Sequence, residues 1–317
     1  MLTVTSAAQF SDMFNSVSGG YIGSDGFWSI KHPTRDAYAF SMGDTAVQVG
    51  KTKTMPNNTM IVWDAQGMRL VGAPLIPRLA DNTLFWCGPM VFDQSRLFTF
   101  ASGQPGDNVR LIQLDWSGAN PSFVAHGPAV PSVGGVRWGS GVLTYGGYQY
   151  VYGTYHEDAW SSQWIFGCRV YLARVPVGFL DNRNFWEYLT VNGWSYFEEN
   201  LKPVISELPD GTSNSFMVCF DNGKVKLTSK TAGNLGSVIK VWESFTPDGQ
   251  YFSREVVSNV PYSNGDQTYL AMGHFELPRT STGKVLVSMC HNRANSTLAD
   301  YYVKPYFYRP TWYEIPA

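Results

Sequence analysis

Apolar residues along this chain cluster in short runs of about five to eight residues. Turn dipeptides rich in Gly, Asn and Asp separate the runs. Residues 216–220 and 224–228, for example, flank an Asp-Asn-Gly turn, which is typical of a β-hairpin. About twenty such runs occur, with few helical spacers between them. This pattern predicts an all-β fold of consecutive hairpins and argues against parallel βαβ units.

Helical periodicity is clearest at the N-terminus. Ser6 and Gln9 have the spacing of a capping box, and apolar residues at i, i+3, i+4 and i+7 begin at Phe10. Gly19 and Gly20 follow and are expected to end the helix. The sequence therefore predicts a short N-terminal helix, with a further helical turn near residues 184–188.

The hairpins recur at a regular spacing. Their turns fall near residues 43–57, 94, 146, 222 and 282, and are about 50 to 75 residues apart. Dividing 317 residues by five gives about 63, which is enough for four short strands per unit. We therefore predict a five-bladed β-propeller over residues 21–317, preceded by a helical extension over residues 1–20. A large β-sandwich is the alternative.

The composition narrows the classes of partner. Only 15% of the residues are charged, against roughly 25% in typical globular proteins, whereas 15% are aromatic. A net charge of −2 and a pI of about 6.2 provide no basic surface, so nucleic acid is not expected as a partner. Few charges together with many rings suit a surface that meets a neutral, hydroxyl-rich ligand.

Neither a targeting segment nor a metal-binding cysteine pattern is evident. The first ten residues lack the basic and apolar regions of a signal peptide, and no run of about 18 apolar residues predicts a membrane span. The cysteines are widely spaced without a CxxC pair, which predicts buried free thiols and leaves disulfides open. They are Cys87, Cys168, Cys219 and Cys290.

Two aspartates in glycine-flanked turns are the strongest candidates for catalysis. Asp25 precedes Gly26, and Asp44 follows Gly43 at the end of a predicted strand. At equivalent ends of neighbouring strands, the two carboxylates could face each other across the axial funnel of a propeller. Paired carboxylates that flank a glycosidic bond are what glycoside hydrolysis requires. The alternative is that both are turn residues that hydrogen-bond their own backbone.

Nine short motifs occur in order between Gly23 and Pro310. They are Ser24-Asp25-Gly26, residues 40–45 (FSMGDT), 57–60 (NNTM), Phe85-Trp86, Trp138-Gly139-Ser140, residues 150–154 (YVYGT), 170–176 (VYLARVP), 269–277 (YLAMGHFEL) and Tyr308-Arg309-Pro310. Together they resemble the endo-D-arabinanase family, which consists of five-bladed propeller glycoside hydrolases of mycobacteria, related actinobacteria and their phages. The resemblance covers nearly the whole chain and leaves out only the N-terminal helix.

The resemblance implies that Asp25 and Asp44 form the acid/base pair of an inverting glycosidase, with water between carboxylates roughly 6.5–9.5 Å apart. The Asp44 motif matches the family in full, whereas the family's Thr-Asp-Leu-Gly segment is Ser24-Asp25-Gly26-Phe27 here. Which aspartate is the acid is left open. No cofactor is implied, and analogy with other propeller glycosidases allows a calcium ion in the axial channel.

Further candidates for substrate binding would line the same funnel if the innermost strand of each blade comes first. Asn58 could hydrogen-bond sugar hydroxyls, or be a β-turn residue. Trp86 and Trp138 begin the second and third blades. They could stack on furanose rings, or pack as aromatic wedges between blades.

Charged residues and a histidine complete the candidate set. Glu157, next to Asp158 in a predicted loop, could supply a third carboxylate or belong to a solvated charge pair. His274 could point to the axis and contact substrate, or be a core histidine with satisfied hydrogen bonds. Arg309 could bind a ligand or lock the closing strand.

Two functions from different classes are consistent with these features. The first is an endo-acting glycoside hydrolase that cuts D-arabinan of the mycobacterial envelope, in arabinogalactan or lipoarabinomannan, as a phage tail (virion) or extracellular component. The second is a non-catalytic phage tail propeller that binds the same glycan as a receptor. The partner is polysaccharide in both, with other phage tail proteins as further candidates and no membrane insertion. The N-terminal helix would be a docking element or a plug under the propeller.

Overall fold

The structure, a computed structural model, describes residues 2–104, 108–130, 132, 134–157, 167–206, 211–231, 236–258, 267–293 and 295–317. This part of the chain contains 24 β-strands and two short α-helices. Five sheets form the blades of a propeller, and a sixth, three-stranded sheet accompanies them. The predicted all-β, five-bladed propeller with an N-terminal helix is confirmed.

The N-terminal helix α1 spans Ala7–Asn15. Ser6 caps it, because its side chain accepts a hydrogen bond of 3.2 Å from the Gln9 N–H group. Phe10 and Phe14 lie on one face and are buried. The helix and its start at Ser6 are therefore as predicted from the periodicity.

Two sheets form from the residues up to Val71. The small sheet contains β1 (Tyr21–Ser24), β4 (Thr45–Val49) and β5 (Thr52–Thr54), and blade 1 contains β2 (Trp28–Lys31), β3 (Tyr38–Met42), β6 (Thr59–Asp64) and β7 (Gly67–Val71). The chain passes from β3 of blade 1 directly to β4 of the small sheet. Gly43 and Asp44 are the two residues at this junction.

Blades 2 and 3 each contain five strands. Those of blade 2 are β8 (Leu84–Trp86), β9 (Met90–Asp93), β10 (Arg96–Gln104), β11 (Val109–Asp115) and β12 (Ser122–Val130). Those of blade 3 are β13 (Arg137–Tyr145), β14 (Tyr148–Tyr155), β15 (Arg169–Pro176), β16 (Glu187–Thr190) and β17 (Gly193–Ser195). The helical turn predicted near residues 184–188 is a 3-10 turn at Arg183–Phe185 that leads into β16.

Blades 4 and 5 complete the ring. Blade 4 contains β18 (Met217–Asp221), β19 (Lys224–Lys230), β20 (Ile239–Ser244) and β21 (Phe252–Val257), and blade 5 contains β22 (Gln267–His274), β23 (Val285–Asn292) and β24 (Thr311–Ile315). Helix α2 (Leu298–Val303) and a 3-10 turn at Pro305–Phe307 lie between β23 and β24. Thr297 and Asp300 form a capping box for α2, which the sequence analysis did not identify.

The hydrophobic core of the described residues is divided into five clusters, one at each contact between neighbouring blades. Trp138 belongs to the cluster between blades 2 and 3, and Trp242 to the one between blades 3 and 4. Both are fully buried. Packing between blades therefore uses much of the aromatic content that the composition had suggested for sugar binding.

The seam between the first and last blades contains α1. The Phe10 ring lies 4.7 Å from the ring of Trp312 on β24, and the Phe14 ring lies 5.6 Å from that of Phe40 on β3. All four side chains belong to one buried cluster. The apolar face of α1 is thus part of the core that joins blade 5 to blade 1.

Candidate active site

A cavity of about 420 Å³ lies where the blades converge. Every blade, or a segment that leads into it, contributes to the lining. The lining includes Asp25, Gly43, Asp44, Trp86, Gln104, Arg137, Asn214, Gln267, Tyr269 and Asn292. Because residues from all five blades meet only near the propeller axis, this cavity is the axial funnel that the fold predicts.

The backbone places Asp25 and Asp44 side by side at this cavity. Strand β1 pairs antiparallel with β4, with Ser24 opposite Thr45. Just beyond the pair, the Asp25 N–H donates to the Asp44 carbonyl oxygen at 3.1 Å, and the Gly43 N–H donates to the Asp25 carbonyl oxygen at 2.8 Å. The two aspartates are therefore neighbours on one wall, which corrects the expectation that they face each other across the funnel.

Gly43 allows this close approach. A Cβ atom at this position would collide with the Asp25 Oδ1 atom and would lie 3.5 Å from Cδ1 of Trp86. The lack of a side chain at Gly43 thus gives the Asp25 carboxyl room to turn toward the cavity.

The environment of Asp25 favours its protonated form. Burial raises the pKa of Asp25 to about 7, and the negative charge of Asp44 adds to the increase. The Tyr269 hydroxyl donates to Asp25 Oδ2 at 3.2 Å and has the opposite, smaller effect on this pKa. A carboxyl that exchanges its proton near neutral pH is suited to general acid chemistry.

Asp44 is a hydrogen-bond acceptor at its Oδ1 atom. Trp86 Nε1 donates to it at 2.6 Å, and Asn57 Nδ2 donates to it at 2.8 Å. These two donors hold the Asp44 carboxyl group in a fixed orientation. The pair therefore combines a buried carboxyl with a raised pKa and a carboxylate held by two donors.

The structure brings together Asp25, Asp44 and Trp86 of the predicted site residues. Trp86 lines the cavity, and its hydrogen bond to Asp44 fixes the orientation of the indole. Trp138 is fully buried in the cluster between blades 2 and 3, with Nε1 3.3 Å from Glu198 Oε2. Of the two open interpretations, Trp138 is the aromatic wedge.

Asn58 has a structural role in place of the predicted sugar contact. Its side chain is 2% exposed. Its amide nitrogen donates to the Phe85 carbonyl oxygen at 2.9 Å, and its amide oxygen accepts from the Ile76 N–H at 2.6 Å. These bonds hold the segment between β7 and β8, whereas the preceding residue, Asn57, reaches the candidate site.

His274 is a core histidine. It is fully buried, its Nδ1 lies 2.5 Å from Ser29 Oγ, and its Nε2 lies 2.8 Å from Ser288 Oγ. Burial lowers the pKa of His274 to about 3, so the ring is neutral at physiological pH. Because Ser29 is on blade 1, the contact links the first and last blades instead of reaching substrate.

Arg309 and Glu157 form structural contacts. Arg309 Nε donates to the Ile22 carbonyl oxygen at 2.8 Å, and its guanidinium also contacts Asn15, so it ties the closing segment to β1 and α1. Glu157 is 60% exposed and forms an ion pair of 2.7 Å with Arg169, as in the solvated-pair interpretation. Asp158 lies outside the described residues.

The region from residue 118 onward matches a sequence family. The profile of the family described as "Domain of unknown function (DUF5005)" matches residues 118–316, which is more than half of the chain. The chain belongs to the DUF5005 family. A search of curated proteins gives no match.

Solved structures share the fold of this DUF5005 protein. A candidate hydrolase from Bacteroides ovatus has a TM-score of 0.71 at 15% identity, with 98% of this chain and 89% of that chain covered. The catalytic domain of a GH62 α-L-arabinofuranosidase from Coprinopsis cinerea has a TM-score of 0.51 at 13% identity, covering 94% and 91%. The GH43_1 enzyme from Xanthomonas citri, complexed with xylose, has a TM-score of 0.50 at 11% identity, covering 89% and 87%. At these identities the likeness shows a common fold.

Within the described ranges, no three His, Cys, Asp or Glu side chains are grouped so as to hold a metal. None of the four cysteines forms a disulfide, and Cys87, Cys168 and Cys290 are buried. In the same part of the chain, no helix has the length and apolar character needed to cross a membrane.

Several residues that line the cavity of this DUF5005 protein were not predicted. Tyr269 and Asn292 come from blade 5, and Gln104 and Arg137 come from blades 2 and 3. Tyr269 is the first residue of one of the nine motifs, and this position was the signal in the sequence that could have identified it as a site residue. For Gln104 and Arg137 the sequence carries none, because polar residues at the ends of strands are common in any β protein.

Proposed function

We propose that this protein is a glycoside hydrolase that cuts within an arabinofuranose-containing polysaccharide. The observation that carries the proposal is the pairing of Asp25 and Asp44 at one wall of an axial cavity, beside the indole of Trp86. Two carboxylates in different environments are the groups that acid/base glycoside hydrolysis requires. The GH62 arabinofuranosidase and the GH43_1 enzyme of similar fold support a sugar substrate.

Asp25 is the proposed general acid and Asp44 the proposed general base. With its pKa raised to about 7, Asp25 keeps its proton in most molecules below that pH. Asp44 accepts hydrogen bonds from Trp86 and Asn57, which hold its carboxyl group in a fixed orientation at the cavity.

In the proposed reaction, Asp25 gives its proton to the glycosidic oxygen as the bond between that oxygen and the anomeric carbon breaks. Asp44 takes a proton from a water molecule that attacks the same carbon from the opposite face, so the configuration inverts. The Asp25 carboxyl accepts a hydrogen bond from Tyr269 of blade 5, and the Asp44 carboxyl accepts one from Trp86 of blade 2. Because these neighbours belong to the blades on either side of blade 1, the two carboxyl groups have different surroundings.

D-arabinan is the proposed polymer, because the order of motifs in the sequence resembles the endo-D-arabinanase family. This resemblance implies D-arabinan of the mycobacterial envelope, in arabinogalactan or lipoarabinomannan. Action on it fits a protein of a phage tail or of the extracellular space, which we propose as the location.

Incubation with mycobacterial arabinogalactan, followed by chromatography of the released oligosaccharides, tests the proposed function. Internal cleavage is expected to produce fragments of mixed length. Plant L-arabinan serves as the comparison polymer. Release of oligosaccharides from it alone would mean that the substrate is L-arabinan and not D-arabinan. Binding to arabinogalactan without release would contradict hydrolysis and favour a glycan-binding propeller.

Replacing Gly43 with Ala is expected to reduce activity far more than stability. The new Cβ would displace the Asp25 carboxyl, which is the free end of a side chain, and misplacement of a reacting group by about 1 Å costs about 10²-fold in rate. Gly50 lies in an open turn and provides the matched control, Gly50→Asn, which suits the positive φ of that residue. Equal loss of activity in both variants would contradict the role of Gly43.

Hydrolysis is expected to slow as the pH rises past about 7. The pKa of Asp25 is raised to about 7, so the acid loses its proton above that pH, and the rate should then fall about tenfold per pH unit. Values of kcat/KM measured between about pH 4 and pH 9 report this limb, because they reflect the pKa of the free enzyme. A rate that stays constant to the alkaline end would exclude Asp25 as the acid.

A further inference from the structure

Tyrosine hydroxyls from the last blade surround the Asp25 carboxyl of the first. Tyr269 is 5% exposed, and its hydroxyl donates to Asp25 Oδ2 at 3.2 Å. Tyr308 is 3% exposed; its hydroxyl donates to the Asp44 carbonyl oxygen at 3.1 Å and lies close enough to Asp25 to lower the pKa of that carboxyl slightly. The proposed acid thus depends on groups that are distant in the sequence and belong to another blade.

Each tyrosine is held in place by contacts of its own. Tyr269 lies opposite Cys290 in the pairing of β22 with β23, and its hydroxyl is also 3.3 Å from Asn292 Oδ1. Tyr308 stacks on Tyr301 of α2, with ring centroids 4.6 Å apart and planes at 7°. The Tyr269 hydroxyl therefore reaches Asp25, and the Tyr308 hydroxyl reaches the Asp44 backbone beside it, from side chains that have further contacts of their own.

The Tyr308 backbone joins the two blades at the same place. The Ser24 N–H donates to the Tyr308 carbonyl oxygen at 3.0 Å, directly before Asp25 in the chain. A Cβ at Gly23 would collide with this carbonyl group at 2.7 Å from its oxygen. The segment that carries Asp25 is thus pressed against the segment that carries Tyr308.

We propose that Tyr269, assisted by Tyr308, is a positioning residue that orients the Asp25 carboxyl and selects the oxygen that carries its proton. The inference rests on the proposed function, in which Asp25 is the acid. Because Tyr269 donates to Oδ2, the transferable proton lies on Oδ1. Oδ1 is the oxygen next to Gly43, on the side of the cavity where Asp44 and Trp86 lie.

Loss of the Tyr269 hydroxyl has a defined electrostatic consequence. A hydroxyl that donates to a carboxylate stabilises its ionised form and so opposes the effects of burial and of Asp44. Removing it should therefore raise the Asp25 pKa further and free the carboxyl to rotate. A residue that only filled space would change neither property.

The test is a comparison of wild type, Tyr269→Phe and Tyr308→Phe, with Tyr152→Phe as the matched control. Tyr152 is also a fully buried tyrosine, and its hydroxyl bonds Tyr251 at 3.0 Å between blades 3 and 4. Carbon-13 NMR of labelled aspartate carboxyls, assigned with Asp25→Asn, reports the Asp25 titration without any substrate. An increase of about one pH unit is expected in Tyr269→Phe, and a smaller one in Tyr308→Phe, with no change in Tyr152→Phe.

Kinetics provide the second readout. In Tyr269→Phe the alkaline limb of kcat/KM should move to higher pH together with the NMR titration, and kcat at its optimum should fall about tenfold or more. An Asp25 titration identical to wild type in Tyr269→Phe overturns the inference. A shifted titration in a protein that releases no sugar from any arabinan upholds the tyrosine coupling and overturns the proposed function, so the two failures are distinguishable.

Discussion

Asp44→Asn and Asp25→Asn are each expected to lower kcat on arabinan by about 10³-fold, which lies within the usual contribution of a general acid or base. An amide at position 44 cannot take a proton from water, and an amide at position 25 cannot give one to the leaving oxygen. The measurement is the initial rate of oligosaccharide release at saturating polysaccharide. Retained activity in Asp44→Asn would exclude the assigned base.

An activated substrate separates the two roles. An aryl arabinofuranoside with an acidic phenol as leaving group needs little protonation, so Asp25→Asn should recover most of its rate on it, whereas Asp44→Asn should not. Recovery of the rate in Asp44→Asn instead of Asp25→Asn would make Asp44 the acid and Asp25 the base. Asp81→Asn is the matched control, because Asp81 is an exposed turn residue that accepts from the Thr83 N–H at 2.9 Å.

Replacing Phe10 with Ala is expected to lower the free energy of unfolding by about 3–5 kcal/mol, the usual cost of emptying a buried phenylalanine site. The Phe10 ring is fully buried, 4.7 Å from Trp312 of blade 5 and 5.3 Å from Trp63 of blade 1. The variant would therefore leave a cavity in the seam that closes the ring. Denaturant unfolding followed by tryptophan fluorescence measures the change.

Phe197→Ala is the control for this substitution, since Phe197 is 72% exposed. Its removal should lower the free energy of unfolding by less than about 0.5 kcal/mol. A loss below about 1 kcal/mol in Phe10→Ala would contradict the role of α1 in closing the propeller. Because Tyr269 belongs to the same buried cluster as Phe10, a weakened seam should also reduce activity.

The structure places only some of the predicted site residues at the cavity, and the others lie elsewhere for a common reason. Asp44 was recognised in an intact motif, yet its orientation toward Asp25 depends on the pairing of β1 with β4, which join separate parts of the chain. Asn58 was selected where Asn57 makes the contact with Asp44. A shift of one residue reverses the face on which a side chain lies, and a motif does not specify that face.

Aromatic residues show the same limit. Trp86 and Trp138 occupy similar places at the start of their blades, but one lines the cavity and the other is buried between blades. Their difference comes from the packing of neighbouring blades. Blade contacts form between residues far apart in the chain, and no local pattern records them.

The amino-acid sequence by itself determined the fold class, the hairpin succession, the helix that begins after Ser6 and the approximate length of a unit, because alternation and turn chemistry are local properties. Only the tertiary structure decided which polar residues meet at the axis, and that Asp25 is surrounded by Asp44, Tyr269 and Tyr308. The physical reason is that the propeller closes between blade 1 and blade 5. The first and last blades come together across almost the whole chain, and the protonation of Asp25 is set by the groups that this closure brings to it.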